Sequence, residues 1–136
     1  KSILFAGALL AATGVMLGAF GAHALGDGLG PERMEWWHTA VQYQLWHAVG
    51  LVALAALPTP RPGLPALLLT VGTLIFSGTL YLMALTGVRW LGAVTPIGGT
   101  LMIAGWFLLA SAPMPRAAAP SRATGRCPCW RRRWRW

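Results

Sequence analysis

Polar residues gather at a few places along this chain, and four apolar stretches run between them. The stretches are Ile3 to Leu25, Trp37 to Leu57, Leu64 to Leu85 and Leu91 to Ala112. Each suits a membrane-crossing helix, which takes about 20 mainly apolar residues. The connections "GDGLGPERMEW", "PTPRPG" and "TGVRW" are short. Short connections set successive helices side by side and antiparallel. Hydrocarbon gives the backbone no hydrogen-bond partners, so the spans are helices and not open strands. The pattern predicts an all-α integral membrane four-helix bundle over residues 1–112. An Arg/Trp-rich cytoplasmic tail, disordered or lying on the membrane surface, follows over 113–136.

The polar and small residues inside the spans are themselves patterned. The first span carries Gly7, Ala11, Gly14, Gly18 and Gly21, a seam of small residues at heptad spacing. Such seams let membrane helices approach closely. The seam is expected to pack on another helix of the same chain, with a homo-oligomer contact as the alternative. In the third span Thr70, Thr73, Ser77 and Tyr81 share one face. Bonds from these hydroxyls to the helix's own carbonyls account for much of that stripe. The fourth span brings Thr95, Gly98, Gly99 and Gly105, and Pro96 suits a helix start or a kink.

The second span raises the chemical question. Gly30-Pro31, with Glu32 and Glu35 behind it, reads as a helix start ahead of the bilayer. His47 stands ten residues beyond Trp37, or ~15 Å along the axis, near the middle of a ~30 Å core. Tyr43 and Gln44 lie one turn before it, on a shared face. An ionisable residue at that depth is a functional candidate by default. The neutral imidazole is the expected form in an apolar interior. The Ser77/Tyr81 stripe is the expected partner across the interface. Two roles stay open for His47, a hydrogen-bonded structural one and a proton or substrate relay. No acid lies within any span, so a carboxylate–histidine path has no partner in this chain. Tyr43, Gln44, His47, Ser77, Tyr81 and Thr95 are thus the polar-core candidates, and Gly7, Gly14, Gly18, Gly21 and Gly98 the helix-packing candidates.

No metal, cofactor or catalytic residue is predicted. His38 and His47 are separated by about 900° of helical rotation, which puts them on opposite faces. His23 falls near the outer end of the first span, well above His47. Cys127 and Cys129 form a C-x-C pair, too close for relaxed disulfide geometry and unlike a zinc signature. Nothing resembles a nucleophile–base pair or a phosphate loop.

Composition supports the membrane reading. Hydrophobic residues make up 56% of the chain and charged residues 10%, against about 25% charged in soluble domains. The net charge of +8 invites a nucleic-acid partner, but six arginines of residues 121–136 carry most of it, and +2 remains without them. A nucleic-acid binder spreads its basic residues over a folded face, so none is predicted. Basic residues favour the cytoplasmic side. With both termini inside, Lys1, Arg61, Arg116 and the six tail arginines are cytoplasmic, and Arg33 and Arg89 are outside. Trp36, Trp37 and Trp90 then gather at the outer interface, where indole rings prefer to sit. Lys1 and "AHA" at 22–24 look like a secretory signal, but the apolar run exceeds the ~7–15 residues of a signal core.

Three stretches together, "GAFGAHAL" (18–25), "TAVQYQLWHAVGL" (39–51) and "FSGTLYLMALTGVRWLGAVTPIGGTLMIAGW" (76–106), resemble a known family. It is the bacterial family of small four-span inner-membrane proteins catalogued as domain of unknown function four-two-three. The resemblance covers residues 1 to about 112. It implies a multi-pass protein of the bacterial inner (plasma) membrane and brings no established activity. The motif positions here include Gly21, His23, Tyr43, Gln44, His47, Ser77, Gly78, Tyr81, Thr95, Pro96 and Gly98, which the resemblance marks as candidates for a shared polar core. The tail "RCPCWRRRWRW" departs from that pattern. Its alternating Trp and Arg suit an anionic leaflet. The expected role is that of a non-enzymatic accessory or assembly subunit of a larger membrane complex, with the lipid bilayer and complex or homo-oligomer partners around it. The alternative is a small transporter or channel subunit, passing a small neutral or weakly basic solute by Gln44, His47 and Tyr81. A membrane enzyme with His47 as base is a third reading.

Overall fold

The computed structural model describes residues 1–25, 28–57 and 62–112, and the Arg/Trp-rich tail lies outside them. Helix α1 spans Ser2–Phe20 and runs on as a π-turn, Gly21–Leu25. Helix α2 spans Pro31–Ala56, α3 spans Gly63–Thr86, and α4 spans Thr95–Ala110. Among the described residues there is no strand.

Local chemistry sets the ends of these helices. Pro31 opens α2 behind an extended Gly30, with Glu32 in the first turn. The missing proline N–H costs nothing at that position, and the acid complements the helix dipole. Gly87 closes α3 at φ 75°, and its N–H reaches Met83 O at 2.8 Å. A side chain would be strained there, so glycine suits the cap. The fourth apolar stretch was expected to be helical from Leu91. Residues Arg89–Ala93 instead form a 3-10 turn, and α4 starts at Thr95, with Pro96 in its first turn. Proline lacks an N–H and fits only where no earlier carbonyl needs one.

The helices pack in chain order, α1 on α2, α2 on α3 and α3 on α4. Cross-contacts run in opposite chain directions, as in Leu10 with Gln44 and Leu17 with Trp37, or Gly72 with Gly98 and Leu69 with Gly105. Neighbours are therefore antiparallel. Helix α1 touches α3 lightly and does not meet α4. The bundle is thus open, a folded row with α2 and α3 in its middle.

Close approach sets two of the three interfaces. A Cβ on Gly98 would stand 2.7 Å from Gly72 O, and one on Gly72 would stand 2.8 Å from Gly98 O. Backbone meets backbone there, and only hydrogen fits. At the α1–α2 crossing, a Cβ on Gly7 would lie 3.0 Å from both Ala48 O and Val52 N. Between the helices, Leu51, Leu54, Leu69 and Met102 form the main apolar core.

Large apolar side chains also cover the outside, among them Phe5, Met16, Val49, Leu67, Ile103 and Phe107. Water would penalise such a surface, and lipid does not. Three helical segments, Ser2–Leu25, Gly63–Thr86 and Arg89–Ala110, are long and apolar enough to cross a membrane. Helix α2 is as long but more polar, and it turns its polar residues Gln44 and His47 inward. The protein is a multi-pass helical membrane protein.

Candidate functional site

Helix α2 carries a polar seam on its buried faces that hydrogen-bonds to α1, α3 and α4. Trp37 is 2% exposed, and its indole N–H donates to Leu17 O at 3.0 Å. That carbonyl also accepts the Gly21 N–H at the end of α1. A Cβ on Gly21 would overlap the Trp37 indole, so this glycine makes room for the ring. Trp37 was expected in an outer belt with Trp36 and Trp90. It is instead a core residue, because its ring packs edge-on against Tyr81, with centroids 4.7 Å apart. Trp90 is exposed, and Trp36 lies under the Arg89 guanidinium, 6.0 Å from the ring centroid.

Two turns deeper, Gln44 joins three helices. Its Nε2 donates to Leu10 O at 3.0 Å and to Thr13 Oγ1 at 2.9 Å, both on α1. Its Oε1 accepts the Tyr81 hydroxyl of α3 at 2.9 Å. The amide orientation follows from chemistry, because Leu10 O can only accept. Ser77 of α3 donates to Ala40 O of α2 at 2.9 Å.

His47 belongs to a separate group. Its Nδ1 lies 2.8 Å from Tyr43 O, and its Nε2 lies 3.2 Å from the Trp106 indole nitrogen of α4. A carbonyl accepts only and an indole N–H donates only, so Nδ1 carries the proton and Nε2 accepts. The Ser77/Tyr81 stripe was the expected partner of His47. The structure corrects that pairing, since Ser77 and Tyr81 reach the main chain and amide of α2 on the side nearer its N-terminus. Tyr43 enters through its carbonyl and its ring, 4.6 Å from the Phe76 ring centroid.

Thr95 stands apart from both groups. It bonds to Thr79 Oγ1 at 2.9 Å and ties α3 to α4. The six polar candidates therefore divide into a Gln44–Tyr81 group with Ser77 beside it, a His47–Tyr43 group, and Thr95 alone. His23 and His38 are exposed. Among the described residues, no three His, Cys, Asp or Glu side chains gather to hold a metal ion.

The packing candidates also differ among themselves. Gly7, Gly21 and Gly98 sit where a Cβ meets backbone or a buried ring. Gly14 faces the flexible end of Leu45, and Gly18 is half-buried with only an ordinary contact to Val41 at 3.4 Å. Sequence reasoning missed Trp106, Thr13, Thr79 and Gly72. Trp106 carried a signal, for the N–H of an indole inside an apolar span needs a hydrogen-bond partner. Thr13, Thr79 and Gly72 carried none, because threonines and glycines are common throughout these spans.

Where α2 begins and α3 ends, Arg33 of α2 reaches over the end of α3. Its Nε donates to Ala84 O at 2.6 Å and a terminal nitrogen donates to Leu85 O. These are among the carbonyls a helix leaves without partners at its C-terminus. Glu32 pairs with Arg89 at 2.8 Å in an exposed ion pair.

Comparison with known proteins matches the chain to a family of membrane proteins. The model for "Protein of unknown function (DUF423)" matches residues 17–99, more than half of the chain. A UPF0382 membrane protein of Staphylococcus haemolyticus is 43% identical over 112 residues, covering 80% of this chain and 92% of its own. The Bacillus subtilis membrane protein YwdK is 38% identical over 114 residues, covering 80% and 93%. The Escherichia coli K12 inner membrane protein YgdD is 39% identical over 99 residues, covering 70% and 76%. No solved structure matches the chain significantly.

Proposed function

The chain belongs to the DUF423 family of membrane proteins, and from that premise we propose that it is a non-enzymatic accessory or assembly subunit of a larger membrane complex. One observation carries this reading. Among the described residues, every buried side-chain nitrogen and oxygen has a hydrogen-bond partner within the chain. The seam on α2 is engaged in holding helices together. It leaves no unpaired buried group for acid–base chemistry. The open row adds support, since the outer faces of α1 and α4 carry Phe5, Met16, Ile103 and Phe107 without a partner helix among the described residues. We place both termini on the cytoplasmic side, on the distribution of basic residues.

Native mass spectrometry of the particle extracted from its own membrane tests the proposal. Stable stoichiometric partners of other sequence are the expected result. A particle containing only this chain would overturn the accessory role. It would favour the second reading, a small transporter or channel subunit, for which a cavity beside Gln44 and Tyr81 speaks.

A further inference from the structure

A partly open cavity of about 220 Å³ lies between α1 and α3, floored by Gln44 of α2. It exists because α1 and α3 barely touch and because Gly78 puts no side chain into it; a Cβ there would meet nothing within 4 Å. The polar side chains of its wall are Thr13, Gln44, Thr73, Ser77 and Tyr81.

The hydrogens on that wall are all engaged elsewhere. Thr13 donates to Leu9 O at 2.8 Å, Thr73 to Leu69 O at 2.7 Å, and Ser77 to Ala40 O at 2.9 Å. Tyr81 donates to Gln44 Oε1, and both Gln44 amide hydrogens go to α1. What remains is acceptor capacity. A hydroxyl oxygen and an amide oxygen each carry two lone pairs, and Gln44 Oε1, Tyr81 Oη and Ser77 Oγ each use fewer than they have. The wall therefore discriminates by hydrogen-bond sense. A guest that donates finds a partner, while a ketone or an ether sets lone pair against lone pair in an apolar surround, where an unpaired polar atom is costly.

We propose that this cavity binds a small, largely apolar molecule bearing one O–H or N–H donor. An enclosed cavity of ~150 Å³ holds benzene, so this one suits a single ring with a short substituent. The inference does not depend on the subunit reading above, since a ligand site fits an accessory protein and a transporter equally.

Phenol and anisole make a matched probe pair, for methylation removes the donor and keeps the ring and the oxygen. Binding to the full chain in lipid nanodiscs is measured by saturation-transfer NMR over a concentration series. Saturable phenol binding about tenfold tighter than anisole binding is expected, the worth of one hydrogen bond. Anisole is the more apolar of the two, so partition into lipid biases against that outcome. Gly78→Leu should abolish the phenol signal by filling the cavity, and Gly78→Ala should weaken it several-fold with less risk to folding. Equal affinity for the two probes, non-saturable phenol uptake, or undiminished binding in a folded Gly78→Leu or Gly78→Ala protein would each overturn the proposal.

Discussion

Trp106 donates its indole N–H to His47 Nε2 across 3.2 Å, linking α4 to α2 although those two helices do not otherwise pack along each other. The bond makes His47 a tie between the middle and the end of the row. Its other ring nitrogen is held by Tyr43 O.

Removing either partner should loosen α4. Side-chain hydrogen bonds between membrane helices are worth roughly 0.6–2 kcal/mol. Trp106→Phe and His47→Leu should each cost about that much in unfolding experiments in detergent. His47→Gln keeps a donor and an acceptor and should recover most of the loss. A His47→Gln protein of normal stability that has lost a cellular function would shift the role of His47 to proton or substrate relay.

The glycines should separate by what faces them. Gly98→Leu drives a side chain into the backbone of α3 and should cost at least the ~1–3 kcal/mol of ordinary overpacking. A Cβ at Gly18 meets only Val41, so Gly18→Leu should cost clearly less than Gly98→Leu. Gly78→Ala faces open space and should gain up to ~1 kcal/mol from helix propensity. Melting temperatures in one detergent rank the three. Equal losses for Gly18→Leu and Gly98→Leu would mean that the α3–α4 crossing is not the tight one.

Arg33 and Arg89 should differ although both sit at the same end of the bundle. Arg33→Ala strips two carbonyls at the end of α3 of their partner and should cost about 1–2 kcal/mol. Arg33→Lys keeps the charge and loses the fork, so it should restore only part. Glu32→Gln breaks a pair whose side chains are 73% and 57% exposed, and such pairs are worth at most ~1 kcal/mol. Hydrogen exchange of the amides near Gly87 is the local readout, and it should quicken in Arg33→Ala but not in Glu32→Gln.

Alkaline phosphatase fusions read the orientation. A fusion after Ala112, with the arginine tail removed, should be inactive, and one at Gly28 active. The reverse pattern would put both termini outside. Truncation matters because six arginines could impose the orientation by themselves.

The sequence alone determined what depends on one dimension. Hydropathy and length mark the spans, because lipid accepts a backbone only when its groups bond within the segment. Pro31 marks a helix start and Pro96 a start or a kink, because the backbone limits of proline are local. Counting along the helix also puts Tyr43, Gln44 and His47 on neighbouring turns of one face, because helical periodicity is local. Partner choice is a different matter, since it depends on how far neighbouring helices rotate and slide. A fixed rotation of α3 sends Ser77 to Ala40 O and Tyr81 to Gln44, leaving His47 to α4. Nothing along the chain encodes that rotation in a readable way, because it is settled by where Gly72 and Gly98 let two backbones touch. The same contact pattern keeps α1 clear of α4 and opens the cavity beside Gly78. Small residues permit close approach wherever they occur, and only the assembled helices decide which of them meet.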